Sequence, residues 1–312
     1  MRYRRLGDSG LAVSVVGLGG NNFERRIDLP RTREVVHAAV DAGINHIDTA
    51  DMYGGSEDYL GEVLGGLRDD VVLATKIGHR MSGKLGPDYG ARGGRRYLRK
   101  ALESSLRRLR TDHVDLLYFH KPDPLTPMAE TLEVFNDFVR EGKALYIGSS
   151  NLTAWQVADA DWISRHHGWA RFVAAQNEYS LIERDVEVEV IPACRHFGVG
   201  FVPFFPLGRG ILTGKYHPGV EPPAGSRLAK LPEYLTEASL DVAEKLRAFA
   251  AERGVSMLQL AIGGLAATPG VASVIAGATS GDQVRANAEA GQWEPDAETL
   301  AALREVLGPV RA

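Results

Sequence analysis

The sequence lacks a second cysteine, a membrane-spanning hydrophobic run and a marked excess of charge. Its single cysteine, Cys194, excludes an internal disulfide and suits a reducing compartment, so we interpret it as a packing residue. Residues 1–5 lack the apolar core of a signal peptide. The net charge of −4 provides no basic field for nucleic acid or a membrane surface. These absences predict a cytoplasmic protein that binds neither nucleic acid nor membrane, and no metal site is expected.

No linker rich in proline, serine or glycine divides the chain. Its 312 residues could form two ordinary domains or one large α/β barrel, since such barrels typically need about 250 residues. The missing linker favours one domain over residues 1–312. A hydrophobic content of 44% is ordinary for a globular protein with a sizeable core.

Short β-rich runs alternate with segments of helical periodicity. Two short runs, at residues 3–6 and 12–14, flank a turn and predict a hairpin. Further strands are predicted at residues 15–18, 44–47, 71–76, 114–120, 144–149, 172–176, 200–204 and 274–275. Helices are predicted at residues 30–43, 56–64, 128–140, 154–165, 186–197, 240–253, 256–267, 282–290 and 295–306, with another after residue 94. Ser56 could be the N-cap of the second helix.

Eight strands alternating with helices indicate parallel crossover units, and eight is the number at which such a sheet closes. The predicted fold is therefore an α/β (β/α)8 TIM barrel with an N-terminal β-hairpin and extra C-terminal helices. A doubly wound open sheet is the alternative. Against it, residues 17–20 read Gly-Leu-Gly-Gly and lack the G-x-G-x-x-G spacing.

Two segments depart from this regular repeat. The segment of residues 207–235 is rich in glycine and proline, and a loop of that length in a compact domain is more often functional than idle. The helix after residue 94 is rich in basic residues, with leucines at helical spacing between them. We interpret these cations as the solvated face of one helix. They are Arg95, Arg96, Arg99, Lys100, Arg107, Arg108 and Arg110.

Three predicted strands lead to reactive side chains. The second leads to Asp48, with Tyr53 on the following loop, the third ends in Lys76, and the fourth ends in His120. In a barrel of this kind the carboxyl ends of the strands form one face, so the four would converge. Each residue alone is more often a surface, capping or packing residue, and His79 is interpreted in that way. Their joint placement is what indicates a site.

The four residue types suit the polarisation and protonation of a carbonyl oxygen. A lysine cation beside a tyrosine stabilises the phenolate and lowers the pKa of the phenol. Asp48 could hold Lys76 charged and in place, and a neutral His120 could orient a carbonyl and stabilise its developing oxyanion. None of the four is a nucleophile or a source of electrons unless Lys76 is unprotonated, so a cofactor would have to supply the electrons.

Glycine-rich loops indicate where a cofactor could lie. They follow the seventh strand at residues 207–210 and the eighth at residues 277–281, where these barrels commonly form a phosphate site. Amide and hydroxyl groups follow the fifth and sixth strands, and Phe204 offers an aromatic face. A dinucleotide across the mouth is consistent with all of these. The glycines could also merely make turns, and the amides could satisfy buried backbone.

Short motifs along nearly the whole chain match one known family. They include Ile47-Asp48-Thr49-Ala50 with Tyr53-Gly54, Ala74-Thr75-Lys76, Asp115-Leu116 with His120, Ile147-Gly148-Ser149-Ser150-Asn151, Gln176-Asn177-Glu178-Tyr179, Pro206-Leu207-Gly208 and Leu212-Thr213-Gly214-Lys215-Tyr216. On these residues the chain resembles the aldo-keto reductase superfamily. The resemblance implies a barrel that binds a nicotinamide dinucleotide without a Rossmann fold and reduces aldehydes or ketones to alcohols.

The resemblance also implies roles for individual residues. Tyr53 would be the general acid, Lys76 and Asp48 the pair that tunes it, and His120 the donor that orients the carbonyl. Three residues would hold the carboxamide of the cofactor: Ser150, Asn151 and Gln176. The other expected cofactor contacts are Gly19, Gly20, Asn21, Phe204, Pro206, Leu207, Gly208, Arg209, Gly210, Gly277, Thr279, Gln283 and Asn287.

Two departures from the family pattern concern the cofactor. Phe204 stands where relatives often stack a tyrosine on the nicotinamide, and we expect binding to survive this change. Basic residues that grip the 2′-phosphate in many relatives are missing from residues 277–283, where only Arg285 and the more distant Arg209 are near. We expect NADP(H), with NAD(H) as the alternative. The loop of residues 77–92, with Met52 and Phe23, is expected to shape the pocket of a small-molecule carbonyl substrate.

Two other functions remain open. A carbon-carbon lyase could use Lys76 to form a Schiff base, although Asp48 and Tyr53 would favour a charged lysine. A regulatory protein could keep the cofactor but turn over little, as the potassium-channel β subunits of the superfamily suggest. The complete catalytic set favours the reductase over both.

Overall fold

The predicted hairpin lies at one end of the molecule. The computed structural model describes residues 1–81, 85–87 and 89–310, and in it β1 (Tyr3–Arg5) pairs antiparallel with β2 (Ala12–Ser14). Leu6 and Val13 are fully buried and pack into the apolar cluster inside the barrel. Asp8 donates its backbone N–H to Gly198 O, just before a barrel strand begins. The hairpin therefore covers the amino-terminal end of the barrel.

Eight parallel strands of the described residues form a closed barrel. They are β3 (Val16–Gly19), β4 (His46–Asp48), β5 (Val72–Ile77), β6 (Val114–Phe119), β7 (Ala144–Ser150), β8 (Phe172–Glu178), β9 (Gly200–Phe204) and β10 (Val274–Gly277). The sheet closes because β10 pairs with both β9 and β3. The predicted (β/α)8 barrel is confirmed, and the open doubly wound sheet is excluded.

Helices surround the barrel. They are α1 (Leu29–Asp41), α2 (Ser56–Val63), α3 (Arg95–Leu109), α4 (Met128–Arg140), α5 (Ala154–His167), α6 (Val190–Phe197), α7 (Glu237–Arg253), α8 (Gly281–Ala290) and α9 (Ala297–Leu307). Short 3₁₀ turns cover Gly20–Asn22, Gly65–Asp70, Asp185–Glu187, Gly208–Thr213 and Pro232–Tyr234. No helix in the described part of the chain is long and apolar enough to cross a membrane.

Three local predictions differ from the structure. The helix predicted over residues 186–197 is divided into a 3₁₀ turn and α6, and Pro192 lies in the first turn of α6, where its missing N–H is tolerated. The helix predicted over residues 256–267 contains a π-helical segment, Gln259–Gly264. Ser56 is not the N-cap of α2, because Gly55 takes that position and the Ser56 hydroxyl donates to Gly20 O at 2.9 Å.

Most cations of the basic helix α3 are exposed, as expected, and two of them, Arg95 and Arg99, pair with acidic residues of α4. Arg99, for example, pairs with Asp137 and Glu141, each at 2.7 Å. Arg108 is an exception to the predicted solvated face, since it turns inward to Glu57, whose side chain is 1% exposed. Cys194 is fully buried in the core, which confirms its packing role.

Candidate active site

The four residues predicted for catalysis lie together at the carboxyl ends of three neighbouring strands. Asp48 is the last residue of β4, Lys76 lies near the end of β5, and His120 directly follows β6. A tight turn after β4 brings Tyr53 back over the barrel. The centres of the Tyr53 and His120 rings lie 6.0 Å apart there, in an edge-on contact. The geometry therefore assembles the whole predicted set.

Lys76 is held by a buried network of hydrogen bonds. Its Nζ donates to Asp48 Oδ2 at 2.5 Å and to Thr49 O at 2.8 Å. The second oxygen of Asp48 accepts the Gln176 Nε2–H group at 2.9 Å. Burial alone would lower the pKa of Lys76, but Asp48 and Tyr53 outweigh it and raise that pKa above its ordinary value. The lysine is thus held as a cation beside the tyrosine.

The pKa of Tyr53 is raised, whereas the sequence predicted that Lys76 would lower it. Burial raises the pKa of this phenol, and Asp48 adds to the rise, while Lys76 lowers it from 5.1 Å beneath the ring. The net pKa lies above the ordinary value, because the effect of desolvation exceeds that of the lysine. Tyr53 is consequently protonated at neutral pH, which is the state that a proton donor requires.

His120 is held neutral. Burial lowers its pKa well below the ordinary value, and the charges of Lys76 and Lys121 lower it further. Its Nδ1 is buried and has no hydrogen-bond partner among the described residues. The side chain lines the cavity described below, where Nε2 can bind a ligand. The backbone of His120 is fixed by Asn151, whose Nδ2 donates to His120 O at 3.0 Å.

A cavity of about 600 Å³ opens beside these residues, within the usual range of ligand pockets. Most of the expected cofactor contacts line it: Gly19, Asn21, Ser150, Asn151, Gln176, Phe204, Pro206, Leu207, Arg209, Gly210, Gly277, Thr279, Gln283 and Asn287. Gly20 and Gly208 do not. A Cβ on Gly20 would lie 2.9 Å from Ser56 Oγ, and one on Gly208 would lie 3.1 Å from Ile182 Cδ1, so both glycines face neighbouring protein.

Besides Lys76, four basic side chains line the cavity, and sequence reasoning found only one of these four. Arg209 was expected, and it pairs with Glu178 at 2.7 Å. Arg26, Lys215 and Arg227 were missed. Both Lys215, in the Leu-Thr-Gly-Lys-Tyr motif, and Arg227 belong to the long segment of residues 207–235. The unusual length of that segment was the sequence signal that could have indicated a role for its cations in the cavity.

The cations from this segment are held in place by aromatic rings. The guanidinium carbons of Arg209 and Arg227 lie 4.6 and 4.7 Å from the centre of the Phe205 ring. Arg285, which the sequence offered as a candidate, is exposed and pairs with Asp282 instead. Apart from Lys76 and Arg26, the positive charge of the cavity therefore comes from the segment after β9 and not from the loop after β10.

The residues around the cavity fit a nicotinamide dinucleotide. Asn151 and Gln176 donate their amide N–H groups to the protein, and among the described residues neither amide oxygen accepts a hydrogen bond. Both oxygens can therefore accept from a carboxamide. Phe204 offers a ring for stacking, and Lys215 and Arg227 offer charge to phosphate groups. Polar, aromatic and cationic groups thus line one continuous cavity.

Only some of the residues expected to shape the substrate pocket lie where they could contact a substrate. Phe23 is fully buried in the core, so it cannot contact a substrate, and its assignment was wrong. Met52 is partly buried. His79, interpreted from the sequence as a surface or core residue, lies 5.0 Å from the His120 ring. Residues 82–84 and 88 of the predicted pocket loop lie outside the described residues.

Comparisons with known proteins agree with this geometry. A family model described as the Aldo/keto reductase family matches residues 15–307. A probable voltage-gated potassium channel subunit beta from Oryza sativa subsp. japonica is 37% identical over 93% of this chain and 91% of its own length. The uncharacterized oxidoreductase YrpG of Bacillus subtilis (strain 168) is 35% identical over 99% and 97%. The L-glyceraldehyde 3-phosphate reductase of Escherichia coli (strain K12) is 35% identical over 93% and 87%.

Proposed function

Because the chain belongs to the aldo/keto reductase family, we propose that it reduces aldehydes or ketones to alcohols with NADP(H). Relatives named as an oxidoreductase and as a reductase support a carbonyl reductase-type activity. The observation that carries the proposal is the contact set around Lys76, which is bonded to Asp48 at 2.5 Å and lies 5.1 Å from the Tyr53 ring. We further propose that residues 1–312 act as a single domain.

The side chains of the site perform the proton-transfer half of the reaction. His120 donates Nε2–H to the carbonyl oxygen and orients it. Tyr53 donates its phenolic proton to the same oxygen, and the phenolate that forms is stabilised by Lys76. Asp48 keeps Lys76 charged. Because the pKa of Tyr53 lies above its ordinary value, the phenolate takes a proton back from solvent after each turnover. A bound nicotinamide dinucleotide supplies the hydride that the carbonyl carbon receives.

The cavity residues bind and orient that cofactor. Ser150, Asn151 and Gln176 hold the carboxamide, and Phe204 stacks on the ring. The loops after β9 and β10 hold the phosphates, through residues such as Leu207 and Thr279. Lys215 and Arg227 favour NADP(H) over NAD(H), because cationic groups bind phosphate strongly and only NADP(H) carries the additional 2′-phosphate. In this proposal Lys215 and Arg227 take the place of the basic residues that are missing from the loop after β10.

Two alternatives predict different behaviour. A Schiff-base lyase needs an unprotonated Lys76, whereas Asp48 and Tyr53 raise the pKa of that lysine. A cofactor-binding regulatory protein with little turnover is the second alternative, and the similarity to a probable potassium channel subunit beta favours it over the lyase. The complete set of Asp48, Tyr53, Lys76 and His120 favours the reductase over this regulatory alternative.

The test is a fluorescence titration of the purified protein with NADPH and, separately, NADH, followed by addition of 4-nitrobenzaldehyde. We expect tighter binding of NADPH and its oxidation when the aldehyde is added. Binding without oxidation across a panel of aldehydes would favour the regulatory alternative. If neither nucleotide bound and borohydride trapped a carbonyl compound on the protein but not on Lys76→Met, the lyase would replace the reductase.

A further inference from the structure

A second cavity, of about 270 Å³, lies among the helices that surround the barrel. Its lining comes mainly from α6, from α9 and from the turn that follows the π-helical segment Gln259–Gly264. No described residue lines both this second cavity and the one beside Lys76. Its volume is slightly below the range of about 300–1,000 Å³ that is usual for ligand pockets. A ligand in the second cavity would therefore be small and would not overlap with a dinucleotide at the active site.

The walls of the second cavity are largely apolar. Leu181, Ile191 and Leu303 line it, and all three are buried members of the hydrophobic core. They come from separate segments of the chain, namely the loop after β8, α6 and α9. Such walls favour a ligand with an apolar part, because contact with them removes apolar surface from water.

A hydrogen-bond network at one end fixes the shape of the second cavity. Arg184 pairs with both carboxylate oxygens of Glu187 at 2.9 Å and donates to Gly308 O at 2.8 Å. Tyr179, which is 2% exposed, donates its hydroxyl to the same carboxylate at 2.8 Å. The network connects the end of α9 to the 3₁₀ turn before α6. The walls that these elements contribute are thus fixed relative to each other, which lowers the cost of binding a ligand between them.

Two arginines of the lining are without a partner. Arg195 on α6 and Arg304 on α9 form no ion pair and no side-chain hydrogen bond with any described residue, and both are exposed. Among the described residues of the lining, Glu187 is the only acid, and Arg184 already neutralises it. The second cavity therefore carries two uncompensated positive charges beside its apolar walls.

The side chain of Arg195 is partly fixed by the turn beside it. A Cβ on Gly270 would lie 2.8 Å from Arg195 Cγ, so the aliphatic stem packs closely against the backbone of this glycine. Pro269, the residue before Gly270, lines the cavity. The stem of Arg195 consequently loses little further freedom when its guanidinium binds an anion at the cavity.

The apolar walls and the two guanidinium groups together specify the ligand. A guanidinium can donate two parallel hydrogen bonds to a carboxylate, and the walls favour a chain or ring over a small hydrophilic ion. We infer that the second cavity binds a small apolar carboxylate. Its carboxylate lies at Arg195 and Arg304, and its apolar part packs against the buried side chains of the walls. Neither the ligand nor its contacts depend on the proposed function, since no active-site residue is involved.

Hexanoate is the probe for this site, and hexanol and acetate are its matched comparisons. Hexanol keeps the apolar chain without the charge, and acetate keeps the charge without most of the chain. Each compound is titrated into the full-length protein, and binding is followed by ligand-observed NMR. We expect saturable binding of hexanoate, with hexanol and acetate at least about tenfold weaker. No saturable binding of hexanoate, or equal affinity for either comparison compound, would overturn the inference.

Arginine variants assign the binding to the second cavity. Arg195→Gln and Arg304→Gln should each weaken hexanoate binding about tenfold, because each removes one guanidinium from the lining. Arg227→Gln is the matched control, since it removes a cation from the cavity beside Lys76 instead. Wild-type affinity for hexanoate in either Arg195→Gln or Arg304→Gln, or an equal loss in Arg227→Gln, would contradict the assigned site.

A variant that fills the second cavity tests its walls without changing its charge. Leu300 lines the cavity from α9 and is only partly buried, so Leu300→Trp places a larger side chain there. We expect Leu300→Trp to lose hexanoate binding, while urea unfolding checks that the variant is folded. Wild-type affinity for hexanoate in folded Leu300→Trp would place the ligand elsewhere and overturn the inference. Should Leu300→Trp fail to fold, the two arginine variants decide, because they alter only exposed side chains.

Discussion

Lys76 donates a hydrogen bond to Asp48 across 2.5 Å, with 1% of the lysine side chain and 4% of the aspartate side chain exposed. Two opposite charges are thus fixed in a nearly dry environment at the base of the cavity. Removing both partners of such a pair is tolerated better than removing one, because a single buried charge is left without compensation. The pair therefore links the stability of the fold to the chemistry proposed for the site.

We predict that Lys76→Met lowers the free energy of unfolding by about 3 kcal/mol and reduces kcat/KM by at least about a hundredfold. The double variant Asp48→Asn with Lys76→Met should regain much of the stability and none of the activity. Urea unfolding and steady-state kinetics on the same preparations measure both effects. Wild-type stability in the single variant would show that the pair is not desolvated as described.

Lys215 and Arg227 should decide the choice between the two nucleotides. We predict that Lys215→Ala and Arg227→Ala each weaken NADPH binding about tenfold, with a smaller effect on NADH, because each removes a cation from the cavity lining. Arg285→Ala is the control, since Arg285 is exposed and pairs with Asp282. Equal losses for NADPH and NADH would place these cations elsewhere than at the extra phosphate.

Arg108 and Arg99 lie on the same helix and should differ strongly in their effect on stability. Arg108 bonds the nearly buried Glu57, which also accepts the Thr75 hydroxyl at 2.6 Å. Arg108→Met leaves that carboxylate without its cation and should lower the free energy of unfolding by about 3 kcal/mol. Arg99→Met breaks only exposed pairs and should cost less than about 1 kcal/mol. Similar values for the two variants would contradict the assigned burial of Glu57.

His46 should make the fold sensitive to mild acid. It is fully buried beside Ser273, and burial lowers its pKa to about 4. The unfolded chain takes up a proton near its ordinary value of about 6.5, so stability is complete above that pH and is lost as pH falls toward 4. The loss at pH 5 should be about 2 kcal/mol.

Urea unfolding at pH 7 and pH 5 measures this contribution. His46→Gln should reduce the difference between the two pH values, whereas His37→Gln, which alters an exposed histidine of α1, should leave it unchanged. If the difference in the free energy of unfolding between pH 7 and pH 5 were the same in His46→Gln as in wild type, the acid sensitivity would belong to other groups.

The fold and the catalytic set could be predicted because their signals are local. A strand that ends in Lys76 or leads into Asp48 can be recognised from β-rich residues followed by a charge. The parallel barrel then places all strand ends on one face, so no long-range contact has to be known. The closing of the sheet followed from the number of strands.

Other parts of the site depend on contacts between distant segments. Arg227 reaches the cavity only because the segment after β9 folds back on Phe205, and nothing near Arg227 in sequence indicates that path. The pKa of Tyr53 was expected to fall because Lys76 is near, but desolvation depends on everything packed around the ring. His79 illustrates the same limit, since its contact with His120 arises where two loops meet.

A single-turnover comparison of wild type and Tyr53→Phe, in which protein loaded with NADPH is mixed with 4-nitrobenzaldehyde, tests the proposed role of Tyr53 most directly. We expect both proteins to bind NADPH with nearly the same affinity and only wild type to oxidise it at an appreciable rate. Oxidation at the wild-type rate in Tyr53→Phe would contradict the role of this residue as proton donor. Parallel loss of binding and turnover would contradict it as well.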